Sequence, residues 1–282
     1  MNKKFDNILV IGLGMMGTSL CHSIKKYRLA KEITGYDLDD KAIRYALKNK
    51  LIDKSVNKIN HIEYSDFIIL CSPISTYKSI VNKLVKVIEY KTVLTDIGSS
   101  KGEAFKILCK LLKDSNIKYT SSHPMVGSEK SGSNNYIKDM YNDRVTFLIN
   151  NKFSKNSLGI VKKFWKSIGS VTHDISPEKH NAIMSQTSHI AHILSYMFVK
   201  TLPKSLLKEN LSLLMGGGIR EHIRLSKSDP QMWSDIFIDN RHNIIKSIDK
   251  VNKELSSMKK LLTKLNKNKI KTSLRGVQNK TR

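Results

Sequence analysis

The chain has 282 residues, 40% apolar and 26% charged, with 49 basic against 24 acidic side chains and a net charge of +25. That length buries a sizeable core and suits two domains better than one. No run of about eighteen apolar residues occurs, which excludes an apolar membrane-spanning helix. The N-terminal stretch lacks a signal peptide's apolar core, so a cytoplasmic protein is expected. The charge invites a nucleic-acid reading, but only eight of the cations are Arg and they are spread out. No recognition motif accompanies them, so the charge is read as a solvated surface. Cys21, Cys71 and Cys109 each lie in an apolar pattern and are read as reduced core residues.

The first element is a buried strand, Asn7 to Ile11, followed by a glycine turn and a helix from about Thr18 to Tyr27. Gly12, Gly14 and Gly17 fit G-x-G-x-x-G: the first allows the turn, the second close approach of a pyrophosphate, the third close helix–strand packing. Met15 and Met16 fill the turn. A second strand runs from Glu32 to Asp37, and Asp37 lies where a carboxylate accepts bonds from an adenosine ribose. Its charge would repel a 2′-phosphate, which favours NAD over NADP.

The alternation of strand and helix continues. Phe67–Ser72 reads as a strand stopped by Pro73, Thr76–Glu89 as a helix, Thr92–Asp96 as a strand, and Glu103–Asp114 as a helix. Tyr119–Ser122 leads into the loop of His123, and Val145–Ile149 is a further strand. Such a series makes an α/β, Rossmann-like, doubly wound parallel sheet, with ligands at the carboxyl ends of its strands. Gly12–Gly17, Asp37, Ser72, Pro73, Ser99 and His123 are all placed just past strand ends, on one edge of the sheet. His123 stands out because an imidazole titrates near neutrality and suits proton transfer.

From Pro177 onward the pattern is helical, so the domains are expected at 1–174 and 175–265, with 266–282 a basic, disordered tail. The helix Pro177–Thr201 carries Ser185, His189 and His192 on one face of an apolar segment. Two His alone do not make a metal site. Three glycines at 216–218 permit a bend or a close backbone approach, and Arg220 and Arg224 follow one helical turn apart. A guanidinium in a cleft suits a substrate carboxylate; an ion pair within the helix, to Glu221 or Asp229, is the plain alternative. Ile244, Ile248, Val251, Leu255, Met258, Leu262 and Leu265 then form a seam suited to another helix, in this subunit or a second one.

Taken together, the stretches GLGMMG, TDIGSSK, HPMVGSEKSG, SHIAH and GGGIREHIRLSKSDPQMW, in this order between Asn7 and Ile248, resemble the prephenate/arogenate dehydrogenase family of tyrosine biosynthesis. The resemblance implies a Rossmann-type domain and an all-α dimerisation domain, giving a homodimer. It also implies oxidative decarboxylation of prephenate with NAD. The implied catalytic residues are His123, which bonds the substrate's ring hydroxyl, and Ser99, which orients it. Arg224 would hold the ring carboxylate and His192 the side-chain end, with His189, Ser128, Glu129 and Glu221 as pocket or gate residues. The cofactor set is Gly12, Gly14, Met15, Met16, Gly17, Asp37, Ser72 and Pro73. Ala191, Glu221 and Asn181 stand where the family usually has Pro, Asp and Asp. With neither a mutase segment nor a regulatory domain in the chain, a monofunctional enzyme is expected. Arogenate as substrate, a β-hydroxy-acid dehydrogenase, a catalytically inactive NAD-binding protein and a nucleic-acid binder stand as alternatives.

Overall fold

The structure is a computed structural model that describes residues 5–62, 64–128, 130–207 and 216–281. Its first domain is built on a six-stranded parallel sheet: β1 (Phe5–Ile11), β2 (Ala30–Tyr36), β3 (Lys54–Ser55), β4 (Phe67–Leu70), β5 (Thr92–Asp96) and β6 (Ile117–Tyr119). The strand order is β3-β2-β1-β4-β5-β6. The central strands are continuous apolar runs because both faces are covered. Side chains alternate along β1. Ile8 and Val10 pack with α1 (Met15–Lys26), α2 (Asp40–Lys48) and α5 (Leu158–Ser167), where Phe164 and Trp165 are buried. Leu9 and Ile11 pack on the opposite face with α3 (Tyr77–Val87) and α4 (Glu103–Leu112). The strand order reverses between β1 and β4, which opens a crevice at their carboxyl ends.

His123 departs from the sequence reading. It lies inside a strand, β7 (Ser122–Pro124), instead of just past a strand end. β7 belongs to a separate three-stranded sheet with β8 (Val145–Ile149) and β9 (Val171–Ile175). It runs antiparallel to β8, with His123 opposite Phe147, and β8 is parallel to β9. The chain leaves the ladder of the large sheet after Tyr119 and from Ser122 pairs with β8 instead, so the expected single parallel sheet divides in two. A helix that the sequence reading passed over, α2, is capped by the Asp39 side chain, which accepts from the Lys41 N–H.

The helical part starts with α6 (Pro177–Met184), its Ser176 side chain accepting from the Lys179 N–H and its proline in the first turn. The expected single helix to Thr201 is interrupted by a π-helical turn, Ser185–His189, before α7 (Ile190–Thr201). Then come α8 (Gly217–Ser226), α9 (Pro230–Asp239), α10 (Arg241–Thr263) and α11 (Lys267–Lys280). The helix expected to run on from Pro230 breaks at Asn240, and the expected disordered tail forms α11 instead. Nor do the three glycines serve a close approach among the described residues, where a Cβ on Gly216, Gly217 or Gly218 would meet nothing. Leu255, Leu262 and Leu265 of the apolar seam are exposed, while Ile244 is buried. Among the described residues no helix is long and apolar enough to cross a membrane.

The two parts are locked together by carboxylates from α9. Asp239 accepts from the N–H groups of Gly102 (2.8 Å) and Ala104 (2.9 Å) and from the Ser100 hydroxyl (2.7 Å), capping α4 from the other domain. Asp235 accepts from the Ser75 hydroxyl at 2.6 Å. These bonds set the helical part over the carboxyl ends of β4 and β5.

Candidate active site

The glycine turn occupies the crevice. Gly12 has φ +99°, and a Cβ there would lie 2.6 Å from the Cys71 carbonyl carbon. A Cβ on Gly17 would lie 1.9 Å from the Gly12 oxygen, whereas one on Gly14 would meet nothing. Gly12 and Gly17 therefore serve the chain's own packing, and Gly14 is where an external group gains access to the backbone. No side chain caps the start of α1, so its first N–H groups are left for an anion. Met15 is buried and Met16 half-buried beside them. Asp37 accepts from the Leu13 N–H (2.5 Å) and the Asp39 N–H (2.9 Å), which fixes its carboxylate beside the turn. Ser72 and Pro73 line the next strand end, where the Ser72 and Thr76 hydroxyls bond at 2.8 Å. This cradle fits the pyrophosphate and ribose of a dinucleotide.

His123 is buried, and its Nδ1 lies 2.9 Å from Nε2 of His180 on α6. His180 Nδ1 lies 3.2 Å from Asn181 Oδ1. Burial, then the neighbouring His180, Lys101 and His189, hold the His123 pKa well below the ordinary imidazole value. Burial lowers His180 to about 3 and His189 to about 4. All three rings are therefore neutral at physiological pH, the state in which an imidazole accepts a proton.

Lys101, which the sequence reading did not single out, holds this arrangement together. Its ammonium is 1% exposed and donates at 2.8 Å to Asp96 Oδ1, the Gly98 carbonyl and the Ser122 carbonyl. Asp96 also accepts from the Gly98 N–H (2.8 Å) and the Tyr119 hydroxyl (2.7 Å). The cation thus ties the Ser99 loop to the strand of His123. It lies in the TDIGSSK stretch, but nothing local shows that a lysine will be buried.

Ser99 meets the histidines differently from the expectation. Its backbone carbonyl accepts from His189, and no hydrogen bond from its hydroxyl to His123 occurs among the described residues. His189 Nδ1 also lies 3.2 Å from the Asn240 amide nitrogen. His192 is half-buried and stacks on Trp233, with ring centroids 3.6 Å apart. Burial lowers its pKa, a bond to the Ser188 carbonyl opposes this, and the Arg224 charge adds a smaller lowering. Arg224 is exposed on α8 and makes a bidentate pair with Glu221 (2.9 and 2.5 Å), the intra-helix partnership that stood as the plain alternative. Ser128 lies on the loop after β7, its hydroxyl accepting from the Lys130 N–H at 3.2 Å. Glu129 lies outside the described residues. The structure thus gathers His123, Ser99 and His189 at the domain junction, with His192 and Trp233 next to them. Lys101, His180, Asn181, Asn240 and Trp233 were missed because each acquires its place through contacts distant in sequence.

A neutral buried imidazole beside a dinucleotide cradle suits proton removal from a carbon–oxygen centre undergoing oxidation, which places the molecule among the two-domain, dinucleotide-dependent oxidoreductases. Residues 20–173 match the family described as "Prephenate dehydrogenase, nucleotide-binding domain", and residues 176–276 match "Prephenate dehydrogenase, dimerization domain". The chain belongs to the prephenate dehydrogenase family. It is 29% identical to the prephenate dehydrogenase of Bacillus subtilis over 92% of this chain and 71% of that one. It is 24% identical to a cyclohexadienyl dehydrogenase of Zymomonas mobilis, covering 92% and 88% of the two chains. The crystal structure of prephenate dehydrogenase from A. aeolicus, in complex with hydroxyphenyl propionate and NAD+, superposes with a TM-score of 0.90 at 30% identity over 100% of this chain and 99% of that one.

Proposed function

We propose that the protein is an NAD-dependent prephenate dehydrogenase that oxidises and decarboxylates prephenate to 4-hydroxyphenylpyruvate in tyrosine biosynthesis. The observation that carries this reading is the buried, neutral His123 at the domain junction, in a chain whose family and likeness to an NAD+ complex supply the chemistry around it.

Bound in the glycine-turn cradle, NAD would supply the hydride acceptor for the ring carbon that bears the hydroxyl. His123 accepts the hydroxyl proton as that oxygen becomes a carbonyl. The bond to the ring carboxylate then breaks, CO2 leaves, and its electron pair flows through the ring to the carbonyl oxygen. The proton returns from His123 to that oxygen, giving the phenol. A neutral imidazole is the form that completes this cycle. Ser99 orients the substrate's ring hydroxyl toward His123. Arg224 holds the ring carboxylate by turning its two-pronged guanidinium from Glu221 to the substrate. His192 and His189 bound the side-chain end, with Ser128, Glu129 and Glu221 as gate residues. Gly14, Met15, Met16, Ser72 and Pro73 hold the cofactor, on a turn whose shape Gly12 and Gly17 permit. Asp37 takes the ribose and disfavours the 2′-phosphate of NADP. The exposed seam of Leu255, Leu262 and Leu265 supports a homodimer through the helical domain, and the three unpaired cysteines accord with a cytoplasmic enzyme.

The test is the initial rate with prephenate and with arogenate, each under NAD and NADP. Prephenate with NAD is expected to have the highest kcat/KM. A higher value with arogenate would make the protein an arogenate dehydrogenase, and NAD binding with no turnover of either substrate would remove the enzyme reading.

A further inference from the structure

Two asparagines at the domain junction carry an inference that goes beyond the roles given above, and it rests on the reading of His123 as the proton acceptor. Asn181 Oδ1 receives the backbone N–H of Lys101 at 2.8 Å. A backbone N–H only donates, so the side-chain atom it meets is the amide oxygen, which only accepts. The other group at that oxygen, His180 Nδ1, must then carry its proton. A neutral imidazole with a proton on Nδ1 has a lone pair on Nε2, and His180 Nε2 faces His123 Nδ1 at 2.9 Å. His123 therefore donates from Nδ1 and keeps its lone pair on Nε2.

The same logic runs through Asn240. Its amide nitrogen is identified by the Asn181 carbonyl, which accepts from it at 2.9 Å. That nitrogen's second proton points to His189 Nδ1 at 3.2 Å, so His189 accepts at Nδ1 and donates from Nε2 to the Ser99 carbonyl. Asn181 is buried and offers acceptors to both chains, through its side chain and its carbonyl.

We infer that Asn181 and Asn240 are positioning residues that fix the tautomers of His180, His123 and His189, so that His123 presents Nε2 as the base. The relay ends on a neutral amide, so no carboxylate stabilises the imidazolium formed on His123. That cation lasts only until the proton returns to the product oxygen. The charged and titratable groups facing these rings are the Lys101 ammonium, the Asp96 carboxylate, the His192 imidazole and the Asp239 carboxylate near His189, and the three imidazoles themselves.

The experiment is long-range 1H–15N spectroscopy of the imidazoles in the full-length protein, above pH 7, with His123→Asn, His180→Asn and His189→Asn variants for assignment. The expected result is Nδ1–H for His123 and His180 and Nε2–H for His189. A His123 proton on Nε2 overturns the inference while leaving the base reading open. Two variants extend the test. Asn181→Leu is expected to mix the His180 and His123 tautomers and to lower kcat about tenfold or more, with KM little changed. Asn181→Asp should keep the tautomers and move the acid limb of the kcat profile up by about one pH unit. Unchanged spectra and kcat in Asn181→Leu, or an unmoved acid limb in Asn181→Asp, contradict the inference. The control is His123→Asn kinetics: if kcat survives there, the base reading fails and, with it, the purpose assigned to the relay, whatever the spectra show.

Discussion

Replacing Lys101 by Met keeps the length and apolar stem of the side chain and removes only the ammonium. Lys101 and Asp96 side chains are 1% and 2% exposed, so the remaining carboxylate cannot turn to solvent. Asp96 keeps two donors, the Gly98 N–H and the Tyr119 hydroxyl, while the Gly98 and Ser122 carbonyls lose the ammonium as a donor. Removing one partner of a buried ion pair costs about 3–5 kcal/mol. At about 2–4 °C per kcal/mol for a domain of this size, melting should fall by roughly 6–20 °C. The assay is thermal unfolding of the purified Lys101→Met protein beside the wild type. The double variant Lys101→Met/Asp96→Asn should regain part of the loss, because the uncompensated charge is gone. A shift below about 2 °C for Lys101→Met, or a double variant less stable than Lys101→Met by the full cost of Asp96→Asn alone, refutes the argument that this cation is a structural pin.

Four further outcomes follow from the site. The pKa values of His180 and His189 are lowered from 6.5 to about 3 and about 4, so the unfolded chain binds protons there that the folded one does not. Stability should be level above pH 6.5 and fall as pH drops below it, with these two rings together removing roughly 4 kcal/mol by pH 5; a flat denaturation midpoint between pH 7 and 5 contradicts this. Gly17→Ala should fail to fold normally, since its Cβ would strike the Gly12 carbonyl. Gly14→Ala should fold with an unchanged melting temperature yet bind NAD about tenfold more weakly, and calorimetric titration showing normal affinity would remove Gly14 from the cofactor contact. Arg224→Ala removes an exposed ion pair within α8, worth about 0–1 kcal/mol, so melting should change little while KM for prephenate rises tenfold or more and kcat changes less; an unchanged KM would leave Arg224 as a surface ion-pair partner.

What was legible in the sequence was what neighbours in the chain decide. The glycine turn could be read because its three positions meet their constraints within six residues, and Asp37 because a strand carries it back to that turn. The division into a parallel sheet and helices followed from periodicity. The second sheet was hidden because β7 is three residues long and pairs with a strand more than twenty residues away. The π turn at Ser185–His189 has the same apolar and polar pattern as an ordinary helix. α11 was hidden by its lack of acidic residues and weak apolar pattern, which suggested a chain unable to fold. His123 was legible as a candidate, but its partners were not: His180 lies 57 residues away. Lys101 sits beside the expected Ser99, and only the assembled domains reveal it as a buried cation bonded to three acceptors. Ser99 was expected beside His123, yet in the structure its carbonyl reaches His189, a bond that depends on how the helical domain is seated.

The account's central claim is that His123 receives the substrate's hydroxyl proton. Its most direct test is the steady-state kcat and KM of His123→Asn with prephenate and NAD, with folding verified by thermal unfolding. The account predicts a fall in kcat of about 10²–10⁴-fold with KM nearly unchanged. A folded variant that retains wild-type kcat would contradict it.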